Sequence, residues 1–190
     1  VIALDRTGGC VAEGLDRRHR QGKPVRVGLI GAGQMGTDII VQIGLMHGIA
    51  VVAAADAIPD NVMAACRIAG DGGRAPEMAD DAAGVARVMA RGRLAVAKSP
   101  RDVCTADGVD VVIDATGNPN VGAEVALATI NAGKHIVMVN VEADVLAGPL
   151  LAEEARKAGV VYSLAWGDQP ALTAEMVDWA RATGFRVVAA

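Results

Sequence analysis

The segment Val25-Arg26-Val27-Gly28-Leu29-Ile30 runs into Gly31-Ala32-Gly33-Gln34-Met35-Gly36, and a stretch with Ile39, Ile40, Ile43 and Met46 follows. The first part has strand composition, and the last has apolar residues at helical spacing, over Thr37 to His47. Three glycines between them dictate a specific backbone. Gly31 suits a turn too tight for a side chain. Gly33 lets another group approach the main chain, and Gly36 lets helix and strand pack closely. Free N–H groups in the first helical turn, with the helix dipole, then favour a negative charge. The glycine spacing alone is weak evidence; the strand before it and the helix after it strengthen it.

The rest of the chain alternates in the same way. Val1 to Pro24 reads as a polar helical lead-in, stopped by Gly22 and Pro24. Strands are expected at Ala50–Ala55, Leu94–Ala97, Val109–Ala115, His135–Asn140, Val160–Ala165 and Phe185–Ala189. Helices are expected at Asn61–Ala69, Pro76–Ala90, Pro119–Ala132, Pro149–Ala158 and Pro170–Thr183, with a short helical segment at Pro100–Ala106. Gly48, Gly133 and Gly159 stand where helix C-caps belong. Such alternation is the pattern of an α/β doubly wound parallel sheet in three α/β/α layers, of Rossmann type. With 190 residues and no long linker, one domain over residues 25–190 follows the lead-in at 1–24. Apolar residues form 52% of the chain, with two Trp, one Tyr and one Phe, so the core is aliphatic. Strands buried on both faces need that composition.

Charge and cysteine usage exclude other classes. A net charge of -4 gives no basic footprint for nucleic acid. Cys10, Cys66 and Cys104 have neither metal nor redox spacing and read as reduced cytosolic thiols. No apolar run reaches the roughly 18 residues of a membrane span, and Asp5 and Arg6 interrupt any signal-like start. The expectation is a cytoplasmic protein with neither membrane nor nucleic-acid partner. Arg17-Arg18-His19-Arg20 reads as a solvated helix end rather than an anion site.

The glycine turn acquires a partner in Asp56, 20 residues beyond Gly36 at the end of the second strand. A carboxylate there accepts hydrogen bonds from an adenosine ribose and repels a 2′-phosphate, which favours NAD over NADP. Its alternative role is a helix cap, and Arg67 and Arg74 downstream offer compensating charge, so NAD and NADP both stay open as the cofactor. Two later strand ends belong to the nicotinamide half, because ligands of open α/β sheets bind beyond the carboxyl ends of strands. Thr116, Gly117 and Asn118 form one turn, with Thr116 and Asn118 able to bond ribose or carboxamide, or to cap the turn. Asn140-Val141-Glu142-Ala143-Asp144 forms the other, where Glu142 and Asp144 are acid/base candidates or helix caps. Gly167-Asp168-Gln169-Pro170 either closes over the nicotinamide or opens a helix. His47 and His135 read as structural.

Together, Val27 to Gly36, Asp114-Ala-Thr-Gly117 and Asn140-Val-Glu-Ala-Asp144 resemble the homoserine dehydrogenase-like oxidoreductases. Tyr162-Ser-Leu-Ala-Trp-Gly-Asp-Gln-Pro170 extends the likeness to the 1-deoxy-D-xylulose 5-phosphate reductoisomerase-like branch that carries a SAF domain. The resemblance runs from about Pro24 to the end of the chain. It implies hydride transfer with NADPH or NADH on a small polar substrate of sugar-phosphate or hydroxy-acid type. It also implies that Gly31, Gly33, Gln34, Met35 and Gly36 contact the cofactor, with Thr116 and Asn140 nearer the nicotinamide. Homoserine dehydrogenases have Lys after the strand-end Asn; Val141 stands here, which speaks against homoserine. The family carries a substrate domain after the nucleotide fold. Its catalytic residues are therefore expected beyond Ala190, with little activity in this stretch alone. An exposed edge strand at Phe185–Ala189 would be an apolar surface covered by that further domain or by a partner, and a homo-oligomer is expected. A nucleotide-sensing regulatory module without turnover fits the same motifs.

Overall fold

The computed structural model describes residues 11–165 and 169–189, without the side chains of 71 and 169–171. Helix α1 spans Val11–Arg20 and leads into β1, Val25–Ile30. Helix α2 (Gln34–Gly44), β2 (Ile49–Ala55) and α3 (Pro59–Ala69) follow. Next come β3 (Pro76–Ala79), α4 (Ala82–Ala90), β4 (Leu94–Ala97) and α5 (Pro100–Thr105). The second half holds β5 (Val111–Asp114), α6 (Pro119–Asn131), β6 (His135–Met138), α7 (Val141–Ala158), β7 (Tyr162–Leu164) and α8 (Gln169–Ala182).

The seven strands form one sheet in the order β3-β4-β2-β1-β5-β6-β7, with every neighbouring pair parallel. Without the edge strand β3 this is the doubly wound order, and the order reverses between β1 and β5. Val27 and Leu29 of β1 pack with Ile40 and Ile43 of α2 and Val62 of α3 on one face. Val85 of α4, Val103 of α5, Val125 of α6 and Leu151 of α7 cover the other. Small residues make the centre of the sheet: Ala53, Ala54, Ala55, Ala95 and Ala97 are fully buried. Short side chains there bring the helices close to the strands on both faces.

Several elements differ from the sequence expectation. Pro76–Ala90 is not one helix. Pro76 opens an edge strand, a position that tolerates its missing N–H. The helix waits for Asp81, whose Oδ1 accepts the Gly84 N–H at 2.5 Å. Helix α7 starts at Val141, eight residues before Pro149, because Asn140 caps it. Pro149 and Val145, the residue whose carbonyl loses its helical donor, both sit on the exposed side of the helix. Helix α2 ends at Gly44 rather than at His47. Gly48 is therefore no helix cap: at φ 74° it turns the chain into β2, packed on the Leu15 carbonyl. Phe185–Ala189 forms no strand. The Phe185 and Gly184 N–H groups bond back to Ala180 and Arg181 carbonyls at 2.8 and 3.1 Å, which closes α8 instead. The edge strand expected there is not formed, although Phe185 and Val188 remain exposed.

Helix packing depends on Gly122 of α6. A Cβ there would lie 2.6 Å from Asp114 Oδ2 and 2.7 Å from the Ala143 Cβ. Gly122→Ala is expected to destabilise the protein by about 1–3 kcal/mol through overpacking. Gly14→Ala in α1, with no atom within 4 Å of the added carbon, is expected to stabilise it by up to about 1 kcal/mol. Urea midpoints of the two variants measure both; equal midpoints would contradict this packing.

Candidate functional site

The carboxyl ends of the strands lie in one row. Ile30 pairs with Ala55 and with Asp114, so Gly31, Asp56 and Ala115 come next to one another. At Gly31, φ is 91° and a Cβ would sit 2.7 Å from the Ala115 carbonyl oxygen. Only glycine suits that conformation and that gap. Gly36 is buried against the Gly31 carbonyl, so α2 starts directly on top of the turn. Gly33 differs from both. Its φ is -68°, and nothing lies within 4 Å of where a Cβ would be. It caps α2 with no side-chain hydrogen bond, which leaves the first-turn N–H groups without a capping partner. Gln34 and Met35 complete this turn and are exposed, Met35 by 54%.

Asp56 holds the turn in place. Its Oδ2 accepts the Ala32 N–H at 2.7 Å, and its Oδ1 accepts from Ile58 N–H at 2.8 Å and Asn61 Nδ2 at 3.0 Å. A carboxylate has about four acceptor positions, so these three bonds leave about one, and Asp56 itself lines the cleft described below.

The other wall is built around Asp114, at the end of β5 and 0% exposed. Its Oδ1 accepts the Thr116 N–H at 3.2 Å and its Oδ2 accepts Asn140 Nδ2 at 3.0 Å. Asn140 Nδ2 also reaches Thr116 Oγ1 at 3.1 Å and the Asn118 carbonyl at 2.9 Å. Asn140 Oδ1 accepts the Ala143 N–H at 3.1 Å and caps α7. Asn118 Oδ1 caps α6, accepting from Asn120 and Val121 N–H at 3.1 Å each. Gly117, at φ 63°, turns the chain between them. Burial pushes the Asp114 carboxyl above its ordinary 3.8, against the hydrogen bonds from Thr116 and Asn140 that favour its ionised form.

Gly31, Gly33, Asp56, Thr116 and Asn118 line one cleft of about 410 Å³, within the small-molecule range. Asn140, only 1% exposed, lies beneath this cleft and supports its wall. Lys98, following β4, also lines the cleft and was not singled out from the sequence. Its signal was position: Lys98 follows β4 as Asp56 follows β2.

Other sequence candidates lie elsewhere. Asp144 Oδ1 accepts the Tyr162 hydroxyl at 2.7 Å, and Glu142 is exposed on the first turn of α7. Arg74 lines a cavity with Gly44 and Ile49 at the amino ends of the strands, away from Asp56. His19 of the basic run stacks on His47 at 4.7 Å, and His135 Nδ1 accepts the Val161 N–H at 3.0 Å. Cys66 and Cys104 are buried, which pushes both thiols up and keeps them protonated. Cys10 and Gly167-Asp168 lie outside the described residues, as do the side chains of Gln169 and Pro170. Among the described residues no helix is long and apolar enough to cross a membrane, and no cluster of His, Cys, Asp and Glu could hold a metal.

No protein-family model matches the chain, and no curated protein does. Solved structures share its fold. A probable dehydrogenase from Thermotoga maritima superposes with a TM-score of 0.59 at 18% identity, over 84% of this chain and 41% of that one. The WlbA dehydrogenase from Bordetella pertussis, solved with NADH and UDP-GlcNAcA, has a TM-score of 0.58 at 20% identity, over 85% and 40%. A homoserine dehydrogenase from Thiobacillus denitrificans has a TM-score of 0.53 at 23% identity, over 75% and 29%. The chain spans less than half the length of each. What it shares with them is the fold, a parallel sheet covered by helices on both faces.

The Asp114 network has a pH signature. Because its folded pKa is raised, the protonated carboxyl stabilises the fold below pH 3.8, and this contribution is lost as pH rises through the folded value. In Asp114→Asn that dependence is removed. The stability of wild type relative to Asp114→Asn is expected to fall as pH rises above about 4. Urea unfolding at a series of pH values reads the difference; a relative stability that grows with pH would contradict the burial argument.

Proposed function

We propose that this chain is the coenzyme-binding domain of an NAD(P)-dependent oxidoreductase, with the pyrophosphate held at Gly31 to Gly36. One observation carries the reading: the space at Gly33, where a Cβ would meet nothing, beside a helix N-terminus that no side chain caps. The residues present fit a dinucleotide. The first-turn N–H groups and the α2 dipole suit the phosphate charge. The remaining acceptor position of Asp56 suits a ribose hydroxyl, and Thr116 and Asn118 stand on the nicotinamide side of the strand-order reversal. The nicotinamide, when bound, supplies hydride exchange with a substrate. The chain's own part is to orient that ring on the wall braced by Asp114 and Asn140, and to keep the phosphates against α2.

The motif resemblance supports a small polar substrate of sugar-phosphate or hydroxy-acid type, as in homoserine dehydrogenase-like and reductoisomerase-like enzymes. The NADH bound by the WlbA dehydrogenase of the same fold supports a nicotinamide coenzyme. Turnover then depends on a second domain that presses the substrate against the ring, because hydride transfer needs both held in register.

Gly33→Val tests the reading. The φ of -68° and the open surroundings admit a side chain without strain, so stability is expected to change by less than about 1 kcal/mol. The new side chain would occupy the pyrophosphate position and weaken NAD(H) and NADP(H) at least about tenfold, roughly 1.4 kcal/mol. Calorimetric titration with a thermal melt of each variant measures both. A folded Gly33→Val protein with undiminished nucleotide affinity would remove the phosphates from this turn.

A further inference from the structure

The adenosine end of the cleft holds a cation whose role the coenzyme reading leaves unassigned. Ala79, Ala97 and Ala55 are paired across β3, β4 and β2. The residues that follow them, Asp80, Lys98 and Asp56, therefore form a row beyond the strand ends, one strand spacing apart. Lys98 lines the same cleft as Asp56 and Gly33, and it is the one basic residue among those lining it in the described chain. Neither arginine that could have offset Asp56 lines this cleft: Arg67 sits in the last turn of α3, and Arg74 lies at the opposite ends of the strands.

The two charges facing this end are differently committed. Asp56 spends three acceptor positions on Ala32, Ile58 and Asn61, so its carboxylate chiefly pins the glycine turn. Among the described residues Lys98 Nζ meets only Asp80 Oδ1, at 3.0 Å, in a pair whose side chains are 65% and 87% exposed. Such exposed pairs hold weakly. The ammonium can exchange Asp80 for a phosphate dianion, which forms stronger charge-assisted hydrogen bonds. Its three donors and flexible stem suit a phosphate at the rim of a cleft.

We propose that Lys98 determines coenzyme specificity by receiving a 2′-phosphate on the adenosine ribose, so that the cleft takes NADP(H) as well as NAD(H). This rests on the coenzyme-binding reading above. NAD(H) uses the free acceptor position of Asp56; NADP(H) turns its 2′-phosphate away from Asp56 and toward Lys98.

Titration of wild type, Lys98→Met and Lys98→Arg with NADH and NADPH, followed by nucleotide fluorescence, tests the assignment. Wild type is expected to bind both. Lys98→Met is expected to weaken NADPH at least about tenfold and NADH less than about twofold, and Lys98→Arg to restore NADPH. Lys98 is exposed, so melting curves of the three proteins should coincide. Binding of NADH with rejection of NADPH by wild type would overturn the proposal, and so would an equal loss of both in Lys98→Met. If neither nucleotide bound the wild-type chain, the coenzyme reading itself would fall first, an outcome the Lys98 variants cannot produce.

Discussion

No side chain fits between Gly31 and the Ala115 carbonyl, 2.7 Å from where a Cβ would sit. That gap is where β1 meets β5 and the strand order reverses. The chain leaving β1 goes to one side of the sheet and the chain leaving β5 goes to the other, which opens a crevice between them. Asp56 then fixes the turn from the β2 side through the Ala32 N–H, and Gly36 lets α2 start without a gap. The N-terminus of α2, with no side-chain cap, thus begins at the edge of the crevice.

The opposite wall depends on a buried polar tie rather than on apolar packing. Asp114 and Asn140 are both buried, and between them they hold the Thr116, Asn118 and Ala143 segments. Removing either partner leaves the other unsatisfied in a desolvated place, where an unpaired polar group costs much more than its bond contributes. Gly122 keeps α6 close enough to seal this tie from water. The two walls therefore differ in kind. The α2 side is open main chain at Gly33, while the Asp114 side is a buried polar tie.

Much of this was legible in the sequence. The tight turn at Gly31 and the close packing at Gly36 follow from spacing and flanking elements, and Gly33 between them stands open. Asp56 was placed at the end of β2, but its bonds to Ala32, Ile58 and Asn61 depend on how the turn folds back. The motif resemblance implies a cofactor contact at Asn140; burial puts it beneath the surface, which only the approach of α6 and α7 determines. Periodicity failed at Pro76, where a proline that could open a helix opens an edge strand, and at Pro149, which sits inside α7. It failed again at Phe185, whose N–H the end of α8 claims. In each case a local cap outweighed the pattern. Lys98 belongs to no motif and comes beside Asp56 only when β4 pairs with β2.

The central claim is that a dinucleotide lies across the strand ends with its phosphates on α2. Backbone amide NMR shifts of the labelled chain during titration with NAD+ test it directly. The account predicts the largest shifts at Gly33, Gln34, Met35 and Gly36, with smaller ones at Thr116 and Gly117 and none at Gly44 or Arg74. Saturable shifts centred on the amino ends of the strands, with Gly33 to Gly36 unmoved, would contradict it.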